Sequence, residues 1–283
     1  MANVPHIQIE KLTLRYRTSG DSVLALDSVS IDIPPLSFLS IVGPSGCGKT
    51  TLLKVLSRVL QPTSGQVLLD GVPLEDVNLA GKVGYVFQRP LLLPWRTALG
   101  NVLLTTEITR KHLPYAVRLA SAHKWLELTG LSGFENRLPH ELSGGMQQRV
   151  SLSRALAFSP SILMMDEPFA ALDEITREAM QEALLQLWGL TESTIVFVTH
   201  SISEAVLLSD RVIVMTARPG RVAETVAVPF PRPRTEQLRG SPQFTELVQR
   251  IRHMLREGPF PVIESRHPAG VTGPCPSKGA GNA

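Results

Sequence analysis

Gly43-Pro44-Ser45-Gly46-Cys47-Gly48-Lys49-Thr50 constrains this chain more than any other stretch, because it fits the pattern G-x-x-x-x-G-K-[ST]. In front of it, Leu36 to Val42 reads as a short buried strand. Behind it, Thr51 to Leu60 carries helical apolar spacing at Leu52, Leu53, Leu56, Val59 and Leu60. A strand, a glycine loop and a helix in that order aim successive backbone N–H groups inward, and the helix N-terminus adds partial positive charge. Such a loop cradles phosphate. Lys49 is then placed to reach the β- and γ-phosphates of a nucleotide, and the Thr50 hydroxyl to ligate Mg²⁺. The alternative is a glycine-rich turn that matches by chance, and the strand and helix around it weigh against that.

The chain has 283 residues, 43% of them hydrophobic, enough for a large domain with an inserted lobe and a tail. No apolar run approaches the length that spans a bilayer; Ser161–Met165 and Thr194–Val198 are strand-length and read as buried parallel strands. Met1 to Pro5 lacks the basic start and apolar core of a signal peptide, so a cytoplasmic protein is expected, reaching a membrane only through a partner. The two cysteines, Cys47 and Cys275, read as free thiols. A net charge of +3 without a dense Lys/Arg block gives no argument for nucleic acid.

Ile7, Ile9, Leu12, Leu14 and Tyr16 nearly alternate, and Val29, Ile31 and Ile33 do so strictly, which predicts an antiparallel sheet with a turn at Thr18-Ser19-Gly20-Asp21. Gln66–Leu69 is a further strand, and Lys82 to Phe87 another that ends at Gln88. From Thr97 to about Phe158 the pattern is helical, so residues 89–158 read as a helical lobe inserted into the sheet domain. Strands return at Ile162–Met165, Ile195–Val198 and Val212–Met215, with a helix from about Ile175 to Leu190 among them: the alternation of a parallel α/β sheet. Val222 to Val228 is a last strand, closing a domain over 1–228. Residues 229–257 read as a Pro-rich linker and a helix over Pro242 to Arg256 capped by Ser241, and 258–283 as a disordered tail.

Two further stretches carry chemistry. Ser161 to Met165 is an apolar strand ending in Asp166, at the sheet edge where ligands of open α/β folds sit. Asp166 is expected to ligate Mg²⁺, and Glu167 to act as general base toward the water that attacks a γ-phosphate. A strand merely capped by Asp166-Glu167-Pro168 is the alternative. Leu142-Ser143-Gly144-Gly145-Met146-Gln147-Gln148-Arg149 opens a helix with a hydroxyl and free N–H groups, a second anion site; taken alone it reads better as an ordinary Ser-capped helix with a Gly turn.

The set Gly43–Thr50, Gln88, Leu142–Arg149, Ser161–Glu167, Ala171-Leu172-Asp173 and Thr199-His200, in that order, resembles the ATPase subunit of an ABC transporter over about residues 7 to 256. That resemblance implies a P-loop NTPase of ABC type: a mixed sheet core with an N-terminal antiparallel β subdomain and an inserted helical subdomain. It implies ATP and Mg²⁺ as ligands. By the same resemblance Tyr16 stacks on adenine; a buried strand tyrosine is the plainer alternative. Gly43 to Thr50 with Thr51 hold the phosphates, and Gln88 contacts Mg²⁺ and the attacking water. Asp173 lies at a subunit interface and His200 contacts the γ-phosphate. Ser143, Gly144 and Gly145 would bind ATP held by a second copy, giving a dimer closed over two nucleotides.

Arg89-Pro90-Leu91-Leu92-Leu93-Pro94-Trp95 offers three leucines between prolines and a tryptophan after the second; they suggest either a protein contact or the lobe's own core. In the family this region takes a coupling helix of the membrane permease. No permease segment is present in the chain, as in importers with separate subunits. Leu92 to Thr97, Thr199 to Arg211 and Arg218-Pro219-Gly220-Arg221 look like the nitrate/sulfonate/taurine import ATPases. The likeness implies a peripheral protein on the cytoplasmic face of the cell membrane and, indirectly, a periplasmic or lipid-anchored solute-binding protein. The rivals are a soluble ABC ATPase acting on nucleic acid or ribosomes, an importer of a pyrimidine-type vitamin precursor, and a non-hydrolysing interaction protein; intact Lys49, Asp166, Glu167 and His200 argue against the last.

Overall fold

The alternating residues near the N-terminus form an antiparallel hairpin, β1 (Ile7–Arg17) with β2 (Ser22–Ile33), in a computed structural model that describes residues 6–17 and 21–257. Alternation in β1 slips between Ile9 and Leu12, where the register shifts and Lys11 has φ 46°. The extra residue of that bulge returns Leu12 and Leu14 to the buried face that Ile7 and Ile9 occupy. The expected turn after β1 lies, apart from Asp21, outside the described residues, as do the tail over 258–283 and Cys275.

Next comes β3 (Phe38–Val42), buried along its whole length. Leu36 does not belong to it: at φ 57° and 52% exposed, it turns into the strand. The phosphate loop then leads into α1 (Lys49–Leu56), which stops short of the expected Leu60. Arg58 enters the left-handed region at φ 58°, and Val59 is left in solvent. After it run β4 (Ser64–Leu69), β5 (Val72–Pro73) and β6 (Val83–Val86). The helical stretch resolves into α2 (Ala98–Thr109), α3 (Tyr115–Leu128) and α4 (Gly144–Leu156). The remainder is β7 (Ile162–Asp166), α5 (Glu174–Gly189), β8 (Thr194–Val198), α6 (Ile202–Leu208), β9 (Arg211–Met215), β10 (Val222–Ala227) and α7 (Pro242–Glu257). Of these, α6 went unread in the sequence, because its seven residues are too few to show a period; Ser201 Oγ caps it by accepting the Glu204 N–H at 3.3 Å.

The strands form two sheets, β2-β1-β4-β5 and β10-β9-β3-β8-β7-β6. In the second, β9, β3, β8, β7 and β6 run parallel and β10 closes one edge antiparallel, the mixed α/β core the sequence led us to expect. The parallel pairing brings the C-terminal ends of β3, β6, β7 and β8 to one edge. The phosphate loop, Gln88, Glu167 and His200 all leave from that edge.

Three apolar clusters hold these layers together. Leu52 and Leu53 of α1 pack with Leu12 and Leu26 of the antiparallel sheet and Val196 of the main sheet. On the other face, Phe38, Met165 and Phe197 meet Val102, Leu126 and Val150, so the helical lobe shares a core with the sheet. The third joins Phe244, Val248 and Ile251 of α7 to Val206, Val214 and Val226. Ile251 is fully buried there, which is worth about 2 kcal/mol on transfer. The Pro-rich segment before α7 is fastened by arginines. Arg234 donates to the carbonyls of Leu207 (3.1 Å) and Ser209 (2.7 Å), satisfying the end of α6, and its burial pushes the guanidinium down to about 10. Arg232 lies 4.0 Å from the centroid of the Trp188 ring. Ser241 caps α7 as expected, accepting the Phe244 N–H at 3.2 Å. Among the described residues no helix is long and apolar enough to cross a membrane.

Candidate active site

Gly48 is the N-cap of α1, at φ 98°, and no side chain caps that helix, so its first-turn N–H groups are left for an anion. A Cβ on Gly48 would come within 2.6 Å of Leu26 Cδ2, so both backbone conformation and space require glycine. Lys49 is buried and arches back over its loop, its Nζ donating to Gly43 O (2.9 Å) and Pro44 O (3.1 Å). Cys47 is buried behind the loop as a free thiol, and burial pushes its pKa up.

The Thr50 hydroxyl donates to Asp166 Oδ1 at 3.0 Å, across from α1 to the end of β7. Burial pushes the Asp166 carboxyl up, opposed by the Thr50 hydrogen bond and the charges of Lys54 and Lys49. Glu167 follows in the left-handed region at φ 47°, a strain on the order of 1 kcal/mol. That turn sends its carboxylate toward β8, where Oε1 stands 2.5 Å from His200 Nε2. Tyr16 is 37% exposed with its hydroxyl 3.1 Å from Thr51 Oγ1, so it is not the buried strand tyrosine of the plainer reading. Tyr16, Ser45, Lys49, Thr50, Glu167 and His200 line one cleft of about 380 Å³, a small-molecule dimension, with Gly46, Gly48 and Thr51 on the same walls.

Gln88, Ser143, Gly144, Gly145 and Asp173 stand apart from that cleft. Gln88 is exposed and makes no side-chain hydrogen bond among the described residues. The backbone beside it is held by α4, whose Gln148 donates to Phe87 O (3.3 Å) and whose Arg154 donates to Pro90 O (2.7 Å) and Leu91 O (2.8 Å). Ser143 and Gly144 are exposed at the start of α4, and nothing lies within 4 Å of a Cβ on Gly144. A Cβ on Gly145 would meet Thr176 Cγ2 at 2.6 Å, so this helix start packs on the start of α5, where Asp173 caps by accepting the Thr176 N–H at 2.9 Å. Ser143, Gly144 and Asp173 are thus exposed at two helix starts that pack on each other. In the 89–95 stretch, Leu92 packs on the lobe's core while Leu91 (57%) and Trp95 (73%) are exposed.

Two residues at the site lie in stretches quoted for the resemblance but received no role from the sequence. Arg218 lines the cleft from the loop between β9 and β10, far along the chain from everything it faces. Glu204, buried on α6, accepts from the Thr199 hydroxyl (2.5 Å) and from Gln181 Nε2 (3.0 Å), while Thr199 Oγ1 accepts the Ser201 N–H (3.0 Å). His200 is therefore flanked by a network that reaches α5. The one sequence signal for Glu204 was a carboxylate on the inward face of a helix too short to recognise.

Comparison with known proteins agrees with this geometry. The ABC transporter family pattern matches residues 26–170. The chain is 44% identical over 241 residues to a taurine import ATP-binding protein of Rhizobium johnstonii, covering 83% of this chain and 90% of that one. It is 41% identical over 234 residues to a nitrate import ATP-binding protein of Synechococcus elongatus, covering 82% and 85%. A solved dimeric ATP-binding cassette, in a post-hydrolysis state with ADP and phosphate bound, superposes with TM-score 0.71 at 34% identity, over 79% of this chain and 99% of that one. The chain belongs to the ABC transporter family, as one of its nucleotide-binding, ATP-hydrolysing subunits.

Proposed function

We propose that two copies of this chain close over two ATP molecules and use hydrolysis to drive import of nitrate, a sulfonate, taurine or a similar organic anion through a separate membrane permease. The observation that carries this is the separation at the site. The cleft holds the phosphate loop, Glu167 and His200, while Ser143 and Gly144 face outward with nothing opposite them. Each signature helix start is then free to complete the cleft of a partner. The dimeric cassette with ADP and phosphate supports the same reading.

Within one cleft, Gly43 to Thr51 and Lys49 hold the phosphate chain and Tyr16 the adenine. The neighbouring Thr50 hydroxyl and Asp166 carboxylate are hard oxygen donors, which suit Mg²⁺. Among the described residues no cluster of three His, Cys, Asp or Glu could hold an ion, so an ion here takes its remaining oxygens from phosphate and water. When bound, Mg²⁺ neutralises charge on the phosphate oxygens, and Gln88 is the residue we assign to approach it as the lobe closes. Glu167 takes a proton from the attacking water, His200 steadies the γ-phosphate, and the products are ADP and phosphate. The unit assigned to this work is 1–228 with the lobe 89–158 inserted, and 229–257 packed on it.

The permease contact is assigned to the exposed Leu91 and Trp95 of the Arg89–Trp95 stretch. This places the protein at the cytoplasmic face of the membrane, with a periplasmic or lipid-anchored binding protein choosing the solute. The test is uptake in cells lacking this subunit, restored by the wild-type chain but not by Lys49→Ala, with labelled taurine, alkanesulfonates, nitrate and a pyrimidine precursor in separate arms. Restoration of the pyrimidine arm alone would replace the anion reading.

A further inference from the structure

Arg218 is an exposed cation in the nucleotide cleft with no hydrogen bond or ion pair among the described residues. The backbone around it is nevertheless tied down. The loop that carries it is tied to β2 on its far side: Gly220 N–H donates to Ala25 O (3.0 Å), Asp27 N–H donates to Gly220 O (2.9 Å), and Arg221 pairs with Asp27 at 2.5 Å. At the base, Thr216 Oγ1 accepts the Arg221 N–H at 3.1 Å. Gly220 presses so close on the phosphate loop that a Cβ would stand 2.0 Å from Cys47 O. The Arg218 guanidinium meanwhile lies against Gly46, where a Cβ would be 2.9 Å from Nη2 and 3.3 Å from Nε. The Gly220 contact needs glycine because the atom it meets is backbone, whereas at Gly46 it is the φ of 76° that favours glycine.

The electrostatics around it are one-sided. Among the described residues Glu167 is the only acid lining the cleft, and its Oε1 is engaged by His200. Lys49 spends its donors on Gly43 O and Pro44 O. A guanidinium laid on a phosphate loop, with no carboxylate to satisfy it, is arranged for an anion that arrives.

From this we infer that Arg218 is a further nucleotide-binding residue, donating to the phosphate chain of ATP and ADP from the face of the loop opposite α1. The inference rests on the nucleotide-site reading above and adds a residue that neither the phosphate-loop motif nor its neighbours contain. The loop's ties to β2 make it a preorganised contact, so little ordering is required when nucleotide binds.

Calorimetric titration of the full chain with ATP and with ADP tests it, using Arg218→Ala, Arg218→Lys and, as a reference, Lys49→Ala. Arg218→Ala should weaken both nucleotides about tenfold, as expected for one charge-assisted contact at a partly exposed site. Arg218→Lys should recover part of the loss, since it keeps charge without the fork. Raising the salt should narrow the gap between wild type and Arg218→Ala. Tripolyphosphate, competing against a fluorescent ADP, should lose potency by the same factor; a loss seen with ATP but not with tripolyphosphate would overturn the phosphate assignment. The thermal midpoint of Arg218→Ala should match wild type, because the side chain makes no hydrogen bond or ion pair among the described residues, so a loss of affinity cannot be charged to unfolding. Unchanged affinities in Arg218→Ala, beside lost binding in Lys49→Ala, overturn this inference alone. Unchanged binding in Lys49→Ala overturns the site beneath it.

Discussion

The chain has two glycine-rich helix starts, and they are built differently. At α1 the loop is walled on all sides: Leu26 against Gly48, the loop before β10 against Cys47 and Gly46, Asp166 across from Thr50. No side chain caps the helix, so its N–H groups await a ligand in a cleft that already exists. At α4, Ser143 caps the helix itself by accepting the Met146 N–H at 3.3 Å, and Gly144 opens on empty space. One start is a finished half-site and the other is a surface. Two similar local sequences acquire different roles because different neighbours are packed around them.

The largest test of this contrast is Glu167→Gln. It should lower turnover by about 100- to 10,000-fold, the usual range for a lost general base, while leaving ATP binding intact and trapping the dimer in gel filtration. Near-normal hydrolysis in the presence of the permease would remove Glu167 as base. Mixing sharpens the contrast further. Lys49→Ala and Ser143→Glu should each be inactive alone, yet a mixture should regain ATPase activity, because half of the mixed dimer pairs an intact loop with an intact signature. No recovery on mixing would mean that both starts serve one protomer. The walls of the α1 site can be tested by Gly220→Ala, which should cost about 1–3 kcal/mol in chemical denaturation, since the new Cβ meets the Cys47 carbonyl.

Glu204 gives a pH signature. Burial raises its pKa from the ordinary 4.5, against the pull of Thr199, Arg177 and Gln181. A raised carboxyl contributes stability that is complete below the unfolded value and is lost as pH rises through the folded one. Glu204→Gln does not titrate, so its stability relative to wild type should climb from pH 4 toward neutrality. A difference that stays flat with pH would show that this carboxyl is not shifted. The smallest effect on the fold is expected from Leu91→Glu with Trp95→Glu, within about 0.5 kcal/mol because both side chains are exposed. The same pair should abolish co-purification with the permease; its survival would place that contact elsewhere. Leu92 is unsuited to this test, since it packs on the lobe's core.

Much of the molecule was legible because its signals are local. The phosphate loop needs a strand, glycines and a helix in immediate succession. The parallel strands announce themselves as short apolar runs, and the inserted lobe as a long change of period. Errors fell where local signals compete or run short. The α1 helix stops at Leu56 because a left-handed Arg58 interrupts a spacing that would otherwise continue. Seven residues hid α6.

By itself, then, the sequence determined the fold class and the phosphate-loop motif with the strand and helix around it, since those depend on neighbours a few positions apart. Only the tertiary structure decided which residues share a cleft. It set Glu167 on His200, left Ser143 outside, folded Glu204 in behind the switch and brought Arg218 from a distant loop onto Gly46. Those contacts depend on how two sheets and a crossover loop close on one another, and no spacing along the chain encodes a distance between segments that meet only after packing.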